Sequence, residues 1–166
     1  MPHHAQLAPD VLLKQCDETR TRRSGPGGQN RNKVETAVVL THRPTNIVAE
    51  ANERRSQAEN RNVAVFRLRL TLAVECRSEE VASEPTELWR GRVQGDRIRV
   101  NPEHADYPGL LAEALDVITR HDFDLKPAAE FLGVTSSQLT KFLKLEPRAF
   151  GLVNRERQAR GLHSLS

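Results

Sequence analysis

The residues with the most distinctive chemistry form one short string, Ser24-Gly25-Pro26-Gly27-Gly28-Gln29-Asn30. Three glycines and a proline share four consecutive positions, so neither a helix nor a strand can run through them, and a loop is expected. Gly27 and Gly28 bring no side chain that would obstruct a crowded site, and their backbone can take dihedrals closed to other residues. Backbone N–H donors that approach a reacting group in this way stabilise negative charge developing on it. Gln29 adds another N–H and a neutral amide able to position a substrate and shape the space for a water. No Ser-His-Asp or Cys-His arrangement accompanies the string, and His42 falls on a predicted hairpin. Arg20, Arg22, Arg23, Arg31 and Lys33 flank it and are expected to meet phosphates, for which the guanidinium fork is well suited.

Several elements must hold this loop. Asp10 is placed to cap a short helix through Val11, Leu12 and Leu13. Residues 16–22 alternate poorly and suit a short edge strand. Thr36 to Thr41 is β-rich, Pro44-Thr45-Asn46 makes a turn, and Ile47 to Ala51 returns as a second strand. Asn46 is one of the few residue types besides glycine that accept a left-handed backbone. A long helix is predicted from Ser56, which forms a capping box with Glu59. Val63, Phe66, Leu70 and Val74 recur at helical spacing and define the face expected to pack on the hairpin. Beyond it, residues 76–108 read as a linker with a short strand over Arg97 to Val100. Leu110 to Arg120 is expected to be helical, with Leu111, Leu115 and Ile118 inward. Residues 128–139 read as a helix-turn-helix, with Gly133 at the turn, Thr135 or Ser136 as the second cap, and Leu132, Val134, Leu139 and Phe142 buried.

Composition removes whole classes of function. The 166 residues contain five Phe, one Tyr and one Trp, too few for a base-stacking platform. No apolar run approaches the roughly 20 residues of a membrane helix, and no secretory leader pattern opens the chain. Cys16 and Cys76 match no metal-ligand or disulfide framework, so neither a metal nor another cofactor is expected. The net charge of +3 is uneven. Residues 1–19 carry −2, residues 20–75 carry +6, and residues 76–166 carry −1. Such a basic stretch, made mostly of arginine, points to nucleic-acid phosphates.

The string from Ser24 to Asn30 does not stand alone. With Asn32-Lys33, Glu35-Thr36-Ala37-Val38, Leu40-Thr41-His42, Pro44-Thr45, Glu53-Arg54-Arg55-Ser56-Gln57, Asn60-Arg61 and Ala64, it resembles the catalytic, Gly-Gly-Gln domain of class I peptide chain release factors. The resemblance spans roughly residues 10–75. It implies an α+β fold, a short β-sheet crossed by one long helix, here followed by the mainly helical region. It implies hydrolysis of the ester joining a nascent peptide to tRNA, with Gly27, Gly28 and Gln29 as catalytic residues. Water attack on that ester makes a tetrahedral oxyanion, the charge that backbone donors stabilise. The site would be completed by ribosomal RNA and the tRNA, and the flanking cations would contact RNA. A methyltransferase acting on Gln29 is a further implied partner. Arg31 departs from the family, which commonly has Val or a small residue there.

The expected organisation is a Gly-Gly-Gln domain over 1–75, a linker over 76–108 and a helical domain over 109–166. About nine residues precede the matching stretch, so no stop-codon-reading domain is expected, and peptide release should be codon-independent. That resembles small stand-alone proteins that rescue stalled ribosomes, here expected as a cytoplasmic monomer. Those proteins end in a Lys/Arg-rich tail, whereas Arg155 to Ser166 holds three Arg and one Glu. Two alternatives stand beside the peptidyl-tRNA hydrolase. One is a non-catalytic ribosome- or RNA-binding module. The other is a DNA-binding regulator in which Ser136, Ser137, Gln138, Lys141 and Lys144 face the major groove, a reading that the acidic balance of residues 76–166 disfavours.

Overall fold

The computed structural model describes residues 1–21, 36–80 and 82–166. Two compact units are distinguished, His4–Leu72, and Ala73–Ser166 together with Met1–His3. The expected architecture, a small sheet with a long helix followed by a helical region, is present.

After a 3-10 turn (His4–Gln6), the first unit has helix α1 (Pro9–Lys14) and an antiparallel sheet of β1 (Cys16–Thr21), β2 (Ala37–His42) and β3 (Ile47–Ala51), in that order. β1 is the edge strand its poor alternation suggests. Asp10 is not the cap of α1. Ala8 holds the cap position without a side-chain bond, proline opens the helix, and Asp10 sits in the first turn, where its charge suits the helix dipole. The β2–β3 turn forms as expected, with Asn46 at φ 59° and its amide donating to the His42 carbonyl at 2.7 Å.

Helix α2 (Gln57–Glu75) starts at Ser56, whose Oγ accepts from the Glu59 amide at 3.4 Å. Its packed face differs from the expected one. Asn60, Ala64, Leu68 and Leu72, spaced by four, are fully buried, with Val65 beside them. Val63, Phe66 and Leu70 are only half-buried, and Val74 alone of the expected stripe is buried. The reason is a polar residue on the inner face. Asn60 is recruited by backbone groups, and the small Ala64 follows it one turn later.

His42 is wholly buried on β2. Its Nε2 lies 2.8 Å from Gln15 Oε1 and its Nδ1 2.8 Å from Thr45 Oγ1. Burial, aided by His4 and Arg43, lowers its pKa from 6.5 to about 4. The ring is therefore neutral at pH 7, with Nε2–H donating to Gln15 and Nδ1 accepting from Thr45. It pins the hairpin turn to the end of α1 and has no free nitrogen for chemistry.

In the second unit, residues 76–108 are more than a linker. They hold α3 (Glu87–Arg92) and a hairpin of β4 (Val93–Gln94) and β5 (Arg97–Ile98). Thr86 caps α3 by accepting from the Trp89 amide, and the buried Glu113 carboxylate accepts from Thr86 N and Oγ1 at 2.7 and 2.6 Å. Trp89 is fully buried and its indole N–H donates to the Leu132 carbonyl at 2.7 Å. Four helices follow: α4 (Tyr107–Arg120), α5 (Leu125–Leu132), α6 (Ser136–Lys144) and α7 (Pro147–Ala159). The α5–α6 pair is the expected helix-turn-helix. Gly133 is left-handed at φ 73°, Thr135 caps α6, and Leu132, Val134, Leu139 and Phe142 are buried. The last residues fold back on α7, where the Asn154 side chain bonds both the N–H and the carbonyl of Leu165.

The sign of the His42 shift fixes a pH dependence. Between pH 6.5 and about 4 the unfolded chain takes up a proton that the folded imidazole refuses, so stability falls as pH drops through that window and is flat above it. Hydrogen exchange of the β2 and β3 amides, followed from pH 7 to 4.5, should show this loss of protection. His42→Gln should remove the slope; an unchanged slope would assign it to another group.

Candidate active site

The Gly-Gly-Gln string and its flanks, Gly27, Gly28, Gln29, Arg22, Arg23, Arg31 and Lys33, lie outside the described residues. What is described is the frame that carries them. Thr21 and Ala37 are partners in the β1–β2 register, so residues 22–35 join two neighbouring strand ends. Antiparallel partners sit about 4.5–5.5 Å apart at their Cα atoms, so both ends of the segment start from one edge of the sheet.

Asn60 closes that edge. Its Nδ2 donates to the Thr36 carbonyl at 2.8 Å and to the Arg54 carbonyl at 3.0 Å, while its Oδ1 accepts from the Arg54 amide at 2.9 Å. One fully buried amide thus ties the start of α2 to the residue immediately before β2. A second tie runs to the other strand. Arg61 meets Glu18 on β1 in a bidentate pair, Nε–Oε1 at 2.6 Å and Nη2–Oε2 at 2.9 Å. These bonds hold the Glu18 carboxyl below its usual pKa. Further along α2, Arg67 donates to the Glu50 carbonyl of β3 at 2.9 Å. The helix therefore crosses the sheet from β1 to β3, with its N-terminal turn beside the segment's base.

Arg20 is the one expected phosphate contact within the described residues. It is exposed on β1 opposite Val38, with Nη2 3.4 Å from Glu18 Oε2. Arg61 already satisfies that carboxylate at shorter range, so Arg20 keeps most of its donors for solvent or a ligand. Sequence reasoning does not reach Glu18, Asn60 and Arg61 as supports of the segment. The available signal is an asparagine in register with Ala64 and Leu68, a polar residue on an otherwise apolar inner face.

Among the described residues, no group of three or more His, Cys, Asp or Glu could hold a metal ion, and no helix is long and apolar enough to cross a membrane. Both cysteines are free, and burial raises the pKa of each thiol. An open cavity of about 610 Å³ lies in the second unit, over Val74, Phe123 and Leu152. Three of its four arginines are paired, Arg148 with Glu146, Arg160 with Glu156 and Arg77 with Asp116, which leaves Arg155 as the one lining arginine without an ion pair among the described residues.

The RF-1 domain model matches residues 9–105. Peptide chain release factor PrfB1, chloroplastic, of Arabidopsis thaliana is 34% identical over 135 residues, 81% of this chain and 28% of that protein. Peptide chain release factor 1 of Dehalococcoides mccartyi is 45% identical over 98 residues, 58% and 27% of the two chains. That of Chloroherpeton thalassium is 47% identical over 77 residues, 46% and 21%. The chain thus spans less than a third of the length of these relatives. It carries the RF-1 domain and belongs to that family.

The frame makes a prediction. Asn60→Ala removes three hydrogen bonds between a fully buried amide and the Thr36 and Arg54 backbone, which should cost the first unit roughly 1–3 kcal/mol. Urea unfolding followed by far-UV circular dichroism measures it. A loss below about 0.5 kcal/mol would remove Asn60 from the role of clamp.

Proposed function

We propose that the chain hydrolyses the ester of peptidyl-tRNA on the ribosome, with Gly27, Gly28 and Gln29 at the reacting group. The observation that carries this reading is the RF-1 match over residues 9–105 with an intact Gly-Gly-Gln inside it. Water attacks the ester carbonyl, the carbonyl oxygen becomes an oxyanion, and the tRNA 3′-oxygen leaves with a proton. A backbone N–H from the triplet stabilises the oxyanion, and the neutral Gln29 amide excludes bulk water while admitting one molecule. Arg20, Arg22, Arg23, Arg31 and Lys33 hold RNA phosphates around it.

Release is proposed to need no stop codon. The residues assigned to it act on an ester and on phosphates, neither of which carries codon identity. Modification of Gln29 by a methyltransferase and action as a cytoplasmic monomer complete the reading.

Ribosomes carrying peptidyl-tRNA, with a stop codon, a sense codon or no codon in the adjacent site, test it directly. Release should proceed in all three. Gly28→Ala adds a methyl group where close approach is required and should lower the rate at least about 100-fold, the scale of losing one oxyanion donor. Wild-type release by Gly28→Ala would end the catalytic assignment and favour a non-catalytic RNA-binding module. Release only with a stop codon would end the codon-independent one.

A further inference from the structure

We infer that α6 and the β4–β5 hairpin form a second RNA contact, a cationic surface for the phosphate backbone of an RNA double helix. It rests on the ribosomal reading above but concerns binding, not the reaction. The hairpin and the helix are joined firmly. The Thr135 amide, at the cap of α6, donates to the Asp96 carbonyl in the hairpin turn at 3.2 Å. α3, which leads into β4, is locked by Trp89, whose ring meets Phe142 of α6 edge-on at 5.4 Å and whose N–H binds Leu132.

α6 buries Leu139, Phe142 and Leu143 and leaves Ser136, Ser137, Lys141 and Lys144 exposed. Ser137, Lys141 and Lys144 follow helical spacing along one outer face. On the hairpin, Arg97 and Arg99 are exposed and flank the half-buried Ile98, as strand alternation requires.

What sets these cations apart is grouping: Arg120, Lys126, Arg155 and Arg157 of the same unit also make no ion pair among the described residues, but only these four lie on α6 and the hairpin bonded to its cap. Elsewhere in the unit Arg90 pairs with Glu84, Arg92 with Asp106, Arg148 with Glu146 and Arg160 with Glu156. Arg97, Arg99, Lys141 and Lys144 make no ion pair among the described residues, and Lys144 lies over the Phe150 ring at 5.6 Å. The −1 balance of residues 76–166 is an average, and the positions of these four cations make a local excess of positive charge within it. Asp96, exposed in the hairpin turn, is the one acid on the hairpin strands and turn. Lys141 and Lys144 also suit the C-terminal end of the helix dipole, but that account leaves Arg97 and Arg99 unexplained. Four unpaired cations on a helix and an adjoining hairpin fit a duplex backbone, read by charge and shape.

The test uses the full chain and a blunt RNA duplex of about 16 base pairs, with affinity measured by fluorescence anisotropy from 50 to 300 mM salt. The variant Arg97→Ala, Arg99→Ala, Lys141→Ala, Lys144→Ala should make the negative slope of log affinity against log salt shallower by about 2–4, near one for each phosphate no longer neutralised. The charge-keeping variant Arg97→Lys, Arg99→Lys, Lys141→Arg, Lys144→Arg should retain the wild-type slope, which separates charge from folding. Arg90→Ala with Arg160→Ala, which removes paired charges, should leave the slope within about one of wild type. A slope unchanged in the fourfold alanine variant would overturn the proposal. So would DNA of one particular sequence binding at least about 100-fold more tightly than the RNA duplex, which would make the surface a DNA reader. Anisotropy does not call on peptide release, so failure here and failure of the Gly28→Ala test are separate results.

Discussion

The first unit depends on a single buried amide. Residues 22–35 leave and re-enter the sheet at paired positions, so strand pairing fixes where they begin and end but not how the base is sealed. At that point the Thr36 carbonyl has left the β ladder and the Arg54 backbone has not yet entered the helix. Both lack a partner in regular secondary structure, and each bond to a side chain there contributes about 0.5–1.5 kcal/mol. Asn60 has the donors and acceptor to satisfy them together, and no apolar residue could. Much of the neighbouring geometry follows. α2 must present Asn60 inward, so Ala64, Leu68 and Leu72 become its packing face, and Arg61 is turned toward Glu18.

That constraint also explains where the sequence is legible. Short-range signals carry through: Asn46 at the turn, Ser56 at the cap of α2, Gly133 and Thr135 between α5 and α6. In each, the determining contact lies within a few residues. A hydrophobic count misjudges the phase of α2 because it treats Asn60 as an outward residue, which rotates the apparent stripe toward Val63, Phe66 and Leu70. α3 escapes it for a different reason. It has six residues, too short for periodicity, and its stability comes from Glu113 and Leu132, far away in sequence. The Gly-Gly-Gln string is recognisable from residue types alone. Its supports at Glu18, Asn60 and Arg61 become visible only as contacts.

Net charge serves less well than placement. The balance of residues 76–166 argues against nucleic acid, yet it averages over the whole region, whereas α6 and the β4–β5 hairpin bring Arg97, Arg99, Lys141 and Lys144 together with Asp96 as the one acid on the hairpin strands and turn. A guanidinium in a short bidentate or near-bidentate pair gives little long-range field, whereas an exposed unpaired one gives nearly all of its own within a Debye length of about 8–10 Å. Counting by sequence window cannot separate these, because partners such as Arg92 and Asp106 or Arg77 and Asp116 are brought together by the fold.

The two cationic regions answer a limitation in the proposed chemistry. A reaction run by water and backbone N–H groups gives the protein few side-chain contacts with the reacting ester, and so little binding energy there. Oxyanion contacts strengthen only as the transition state forms, which raises the rate but not ground-state affinity. The energy that brings the triplet to the ester must come from elsewhere, and RNA phosphates are the most abundant partner a ribosome offers. In that proposal Arg20 and the cations within residues 22–35 are assigned the contacts next to the chemistry, where misplacement by an ångström is costly. Arg97, Arg99, Lys141 and Lys144 belong to the other compact unit and can add affinity without constraining the reacting geometry. If both proposed contacts engage at once, linkage through one chain makes their combined affinity exceed either alone without a new contact at the ester.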